Sequence, residues 1–287
     1  MLSSAKGERA LRVLNWQCRE FRNWPGCRSF GCYYGDEMNF FRSRIVKSVK
    51  WMLERHGRVL VPSSQFGLNP FTDVRRLAGA WKNPIETIFD VGANDGETAL
   101  TALEEFPEAR VLSFEPHPST FAKLVARVGG SPRFRGFNLA LGTDIGEVEM
   151  IEYDESKTNS LTPDARFAKR FKTQGRSIRV KETTLDTFCS ENMISRIDFL
   201  KIDTEGFDLV VLQGCCSMLQ KQAIRFILVE FNDLQPREDV FGGALLPFEN
   251  LLSPFGFRFV AAYNDYINTQ SEMFCVSNAL FCLPPHN

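Results

Sequence analysis

The chain has 287 residues, of which 34 are Lys or Arg and 35 are Asp or Glu, giving a formal net charge of -1, and 44% are hydrophobic. That composition supports a full globular core and lacks the basic surplus a nucleic-acid-binding domain uses to capture phosphate. No apolar run approaches about 18 residues, which argues against a membrane-spanning helix, and no charged start leads into the apolar core of a secretory signal.

The first eighty residues are rich in Arg and aromatics and poor in strand patterns. Met38 to His56 places Phe41, Ile45, Val49 and Met52 at helical spacing with basic residues between them, which predicts an amphipathic helix covering a flank of the next domain. Arg9, Arg12, Arg19, Arg22 and Arg28 outnumber Glu8 and Glu20. An organelle transit peptide is therefore the alternative to the expected cytoplasmic location. The turn-rich "SSQFGLNPFTD", Ser63 to Asp73, reads as a linker, so a mainly helical extension is expected over 1–80 and a second domain over 81–287.

From Pro84 short apolar runs alternate with helical segments. "IETIFDV" reads as a strand, Glu97 to Phe106 as a helix, "RVLSFE" as a strand, "PSTFAKLVARV" as a helix and "FRGFNLALG" as a third strand. Such alternation predicts a doubly wound α/β domain with a mostly parallel sheet. "LGTDIGEVEMIEY" and "RSIRVKETTLDTF" show period-two stretches, read as antiparallel strands inserted on the sheet's edge. "IDFLKID" then reads as a buried strand, "GFDLVVLQGCCSML" as one helix, "IRFILVE" as a strand, "LPFENLLSPFG" as a short helix, and "FRFVAAY" and "NALFCL" as closing strands. The eight cysteines show no CxxC and no zinc-ligand interval, which favours free thiols over a metal site.

In a sheet of this kind ligands bind outside the carboxyl ends of the strands. The turn "DVGANDG" puts Asp90, Gly92, Asn94, Asp95 and Gly96 there, where glycine allows close backbone approach and the following helix offers its N-terminus. Neither the dinucleotide spacing G-x-G-x-x-G nor a phosphate loop is present, and Asp90 would repel a pyrophosphate. Glu115, ending the next strand, stands where an acid can take two ribose hydroxyls. Turn and acid together suit a ribose-bearing ligand with an amino group and no diphosphate, a description S-adenosylmethionine fits. His117 reads as a cap at the helix entrance rather than as a base.

The ordered set "FDVGANDGETAL", "VLSFEPHPSTFAKL", "FNLALGTDIGEVEM", "TNSLTP", "ETTLDTF" and "IDFLKIDTEGFDLVVLQG" resembles the motifs of the FkbM-type S-adenosylmethionine-dependent methyltransferases. The likeness runs from about Pro84 to Leu283 and ends in "SNALF", where Ser277 replaces the usual glycine. It implies a class I methyltransferase sheet, Rossmann-like with a final antiparallel strand, and transfer to hydroxyl oxygens of sugars, glycolipids or polyketides. With it, Pro116, Asn138 and Ala140 become candidate cofactor positions beside the turn and Glu115. S-adenosylhomocysteine is the implied product. Asn159 and Ser160 become candidates for a loop touching cofactor or acceptor.

An alcohol acceptor needs a base near the reacting methyl, at the end of a central strand. "FLKIDTEGFD" offers Lys201, Asp203 and Glu205 there, charges that are costly on so apolar a strand unless paired or functional. Asp203 is the expected base, Glu205 the residue orienting acceptor or cofactor, and Lys201 either pairs with them or lowers the pKa of the acceptor oxygen. Glu230 opens onto the same crevice as a candidate for acceptor hydroxyls. Asp203, Glu205, Glu230 and Asp233 could together hold a divalent cation, which is not expected. The expected partner is a small-molecule or glycan acceptor, without nucleic acid and without stable membrane insertion. The alternatives are N-methylation of a small molecule or protein side chain, and a non-catalytic protein that only binds the cofactor or a partner.

Overall fold

The computed structural model describes residues 51–52, 55, 65–152, 176–236, 243–268 and 274–285. Asn159 and Ser160, and nearly all of the helix expected over Met38 to His56, lie outside the described residues. The chain divides into two compact units, Met1–Gln65 and Phe66–Asn287. The second unit begins earlier than the expected boundary at residue 81 because α1, Pro70–Ala80, belongs to it. The supposed linker contains that helix start: the Asn69 side chain accepts from the Thr72 amide and Pro70 supplies the preset φ of a first helical turn. Phe71 then packs edge-on against Phe199, and Asp73 accepts from the Tyr263 hydroxyl at 2.9 Å.

The elements that follow are β1 Thr87–Val91, α2 Glu97–Glu105, β2 Arg110–Phe114, α3 Pro118–Val128 and β3 Phe134–Phe137. After these come β4 Ala140–Gly142, β5 Gly146–Glu152, β6 Arg176–Thr184, α4 Leu185–Glu191 and β7 Ile197–Ile202. The chain continues through α5 Asp208–Gln213, α6 Cys216–Gln220, β8 Ile224–Phe231 and α7 Leu245–Leu252, and ends with β9 Arg258–Asn268 and β10 Phe274–Cys282. The main sheet has the order β3-β2-β1-β7-β8-β10-β9. All neighbours up to β8 run parallel, and β10 is antiparallel to both β8 and β9. This is the class I methyltransferase sheet, doubly wound with its reversed strand between the last two parallel ones.

β1, β7 and β8 are buried at nearly every position and mainly apolar because both faces are covered, as central parallel strands require. One core, with Ile88, Phe199, Phe226 and Leu280, faces α1 to α3; the other, with Phe89, Leu200, Ile227 and Phe281, faces α4 to α7. At the amino ends of the strands Asp198 accepts from the amides of Glu86 and Thr87 at 2.8 and 2.9 Å and pairs with Arg225. That closes the end of the sheet away from the β1 turn.

Three expectations about the sheet and its helices are corrected. "FRGFNLALG" is two strands, because Asn138 and Leu139 break it and pass the chain from the main sheet to a separate one. The period-two stretches do not extend the main sheet's edge: β5 pairs antiparallel with β6, and β4 parallel with β6, in a three-stranded sheet of their own. The helix expected over Gly206 to Leu219 is two short ones, interrupted at Gly214 and Cys215, where the Gly214 amide closes α5 on the Val210 and Val211 carbonyls. In addition Leu185 to Phe188, expected inside a strand run, begin α4, which Thr184 at the end of β6 caps by accepting from the Thr187 amide.

Candidate active site

A cleft opens at the carboxyl ends of β1, β2 and β7. It is lined by Val91, Gly92, Asn94, Phe114, Glu115, Pro116, Asp203, Thr204 and Glu205, with Leu139, Ala140, Leu141 and Met150 forming a wall that includes the small sheet. Counting the open solvent of its mouth it spans about 640 Å³.

The turn after β1 is shaped by positive φ. Gly92, Asn94 and Gly96 have φ of 77°, 47° and 91°. At Gly92 the missing Cβ admits the Asp203 backbone, and at Gly96 it admits Leu124 and Val128 of α3. Gly96 thus packs two helices together and does not line the cleft. Asp95 also points elsewhere, pairing with Arg127 at 2.9 Å. Asn138 is outside the cleft too: its amide donates to the carbonyls of Glu115 and Pro116, fixing the loop after β2.

Glu115 sits in the cleft wall, almost wholly buried. One oxygen accepts from the Asn94 amide and the other from the His117 amide, each at 2.9 Å. Burial pushes its carboxyl up to about 7, against the pull of those two amides. His117 caps α3 as expected, with Nδ1 facing the amide and hydroxyl of Thr120 and Nε2 at 2.9 Å from Glu152.

Below the cleft lies a buried charge group. Lys201, 7% exposed, donates to Asp203 at 3.0 Å and stands 3.6 Å from Asp90, which is fully buried. Asp90 accepts a further hydrogen bond from Ser113 at 3.2 Å, while its other oxygen has no hydrogen-bond partner. Burial raises the Asp90 carboxyl above its usual range, opposed by Lys201. For Lys201 burial works against the charge, but Asp203 and Asp90 outweigh it and hold the ammonium above its normal range.

Sequence reasoning did not single out Asp208. Fully buried at the start of α5, it accepts from the Thr204 amide at 2.8 Å, from the Thr204 hydroxyl, and with its other oxygen from the Glu230 amide at 3.0 Å. It ties the cleft-lining turn after β7 to the end of β8. Burial, and next Asp203, lift its carboxyl to about 6. Glu205 has φ 54° and is pushed up to about 8 by burial and then by Asp203. Glu230 does not line the cleft but is pushed to about 10 by burial, then by Asp203 and Glu205. Among the described residues no three His, Cys, Asp or Glu are placed to hold a metal ion, and the described cysteines are free thiols.

The donor set fits S-adenosylmethionine. Each Glu115 oxygen accepts only one amide and keeps a lone pair for a ribose hydroxyl. Phe114, Leu139, Leu141 and Met150 offer apolar walls to a flat base.

A family model described as the methyltransferase FkbM domain matches residues 90–259. The chain is 30% identical over 220 residues to the 31-O-demethyl-FK506 methyltransferase FkbM of Streptomyces tacrolimicus, covering 67% of this chain and 80% of that protein. It is 28% identical over 168 residues to the 2-O-methyltransferase NoeI of Sinorhizobium fredii, covering 55% and 68% respectively. With the hexuronic acid methyltransferase AglP of Haloferax volcanii it shares 27% over 166 residues, covering 56% and 62%.

Proposed function

Because the chain belongs to the FkbM methyltransferase family and is an S-adenosylmethionine-dependent methyltransferase, we propose that it methylates a hydroxyl oxygen of a carbohydrate or other polyhydroxylated acceptor. The observation that carries this reading is Asp203: a carboxylate at the cleft floor, held by a buried lysine, at the carboxyl end of a central strand. The relative named for 2-O-methylation supports an oxygen acceptor, and the one named for a hexuronic acid supports a carbohydrate.

Glu115 would take the ribose hydroxyls, and the turn from Gly92 to Asn94 would hold the rest of the cofactor. When bound, the cofactor supplies a methyl group made electrophilic by its sulfonium. Asp203 would accept the acceptor's hydroxyl proton. Lys201, donating to Asp203 and facing Asp90, fixes the carboxylate's direction and keeps two acids from confronting one another without a counter-charge. Thr204 and Glu205 complete the floor, and Asp208 holds their turn. Rate comes chiefly from this alignment, since the displacement itself needs only proximity and a base.

The test is transfer of tritium from methyl-labelled S-adenosylmethionine to a panel of neutral oligosaccharides, comparing wild type with Asp203→Asn. Labelled ether product that the variant fails to form supports the reading. Transfer only to amine acceptors, unaffected by the substitution, would refute it.

A further inference from the structure

Two walls of the cleft belong to different sheets. Glu115 and Pro116 stand on the loop after β2 of the main sheet, and Met150 stands on β5 of the small one. Among the described residues no backbone ladder joins the two sheets. The width of the cleft between these walls therefore depends on side-chain contacts.

A hydrogen bond crosses from one wall to the other. Side chains two apart on a strand face the same side, so Glu152 shares the face of Met150. Its carboxylate lies 2.9 Å from Nε2 of His117. His117 directly follows Pro116, and its own amide donates to Glu115 at 2.9 Å. One residue thus touches the acid of the first wall through its backbone and the strand of the second through its ring.

The helix cap decides which ring nitrogen carries the proton. Nδ1 faces the Thr120 amide at 3.4 Å, and an amide can only donate, so Nδ1 is the bare nitrogen and the proton sits on Nε2. The Thr120 and Ser119 hydroxyls, at 3.1 and 3.2 Å, can donate to the same Nδ1. Nε2–H consequently donates to the Glu152 carboxylate, a charge-assisted bond made by a residue that is 4% exposed. Capping α3 does not require this second nitrogen, since Asn or Ser caps a helix with one acceptor.

Resting on the methyltransferase reading, we infer that His117 and Glu152 are positioning residues for the cofactor: their hydrogen bond holds the Met150 wall at the distance from Glu115 at which ribose and base fit between the two. A site supported in this way loses affinity when the support is removed, although every residue in contact with the ligand is still present.

Calorimetric titration with S-adenosylhomocysteine tests this in variants that separate the bridge from the cap. His117→Asn keeps a capping acceptor for Thr120 and removes the Nε2 donor, whereas Glu152→Ala removes the acceptor and leaves the cap intact. Each should weaken binding about tenfold, the scale of one hydrogen bond to a charged group. The double variant should bind no more weakly than either single one, because both changes break the same bond. Glu152→Gln, whose amide oxygen still accepts from Nε2–H, should restore most of the affinity. With folding checked by circular dichroism, single variants that bind as tightly as wild type, losses that add in the double variant, or Glu152→Gln as weak as Glu152→Ala would overturn the inference. Failure of the wild-type protein to bind S-adenosylhomocysteine, measured first, would instead fault the methyltransferase reading.

Discussion

The backbone carbonyl oxygen of Asp203 lies 1.8 Å from the place where a Cβ on Gly92 would stand, so the turns after β1 and β7 meet backbone to backbone. The Asp203 amide reinforces this by donating to the Val91 carbonyl at 3.0 Å. The cofactor turn and the proposed base are thus one rigid unit.

Gly92→Ala must push Asp203 away from the cleft, and it also strains a residue at φ 77°. Since misplacement by about 1 Å can cost about 100-fold in rate, kcat should fall by about that factor. The loss of stability, measured by urea unfolding, should stay near 1–3 kcal/mol. A variant with wild-type kcat would show that the contact does not position Asp203.

Removing the cation should cost more than removing a partner acid together with it. Lys201→Met leaves Asp90 buried beside Asp203 without a counter-charge, a loss of about 3–5 kcal/mol. Asp90→Asn combined with Lys201→Met should lose less than the sum of the single changes, because the interaction they share is counted twice. Strict additivity in a urea double-mutant cycle would mean the two residues do not interact.

Asp208→Ala frees the amides of Thr204 and Glu230 from their shared acceptor. Each buried donor left unpaired costs about 1–3 kcal/mol. Activity should fall mainly through kcat, because the cleft floor loosens while Glu115 stays in place. Steady-state kinetics that showed a change in KM alone would contradict the positioning role.

Acidic groups raised by burial make the protein more stable in mild acid than in base. The folded state holds protons on Glu115 up to about pH 7 and on Glu205 up to about pH 8, whereas the unfolded chain loses them near 4.5. Where the folded state binds more protons, stability falls as pH rises. The thermal midpoint of the cofactor-free protein should therefore drop between about pH 5 and pH 8, and Glu205→Gln should flatten the slope. A midpoint rising over that window would invert the sign and contradict the burial of these carboxyls.

Much of this was legible in the sequence, for reasons that differ by element. β1, β7 and β8 show as short, mainly apolar runs because both their faces are covered, and the turn between β1 and α2 shows through its glycines. Pairing partners are less visible. Alternation in β5 and β6 reports one wet face and one dry face, but not which strand lies alongside, so a separate sheet looked like an edge extension. Asp95 and Gly96 have the residue types of a ligand turn, yet their neighbours on α3, Arg127, Leu124 and Val128, are more than twenty residues away and decide their roles. Asp208 was hidden because an acid in a first helical turn is ordinary there, where it complements the helix dipole.

The most direct measurement is calorimetric titration of the purified protein with S-adenosylhomocysteine, beside a Glu115→Ala variant whose fold is verified by circular dichroism. Saturable one-to-one binding, weakened about tenfold or more when the two ribose contacts are lost, is the predicted result. A folded wild-type protein that binds no S-adenosylhomocysteine, or a Glu115→Ala variant that binds it as tightly, would contradict the cleft's assignment.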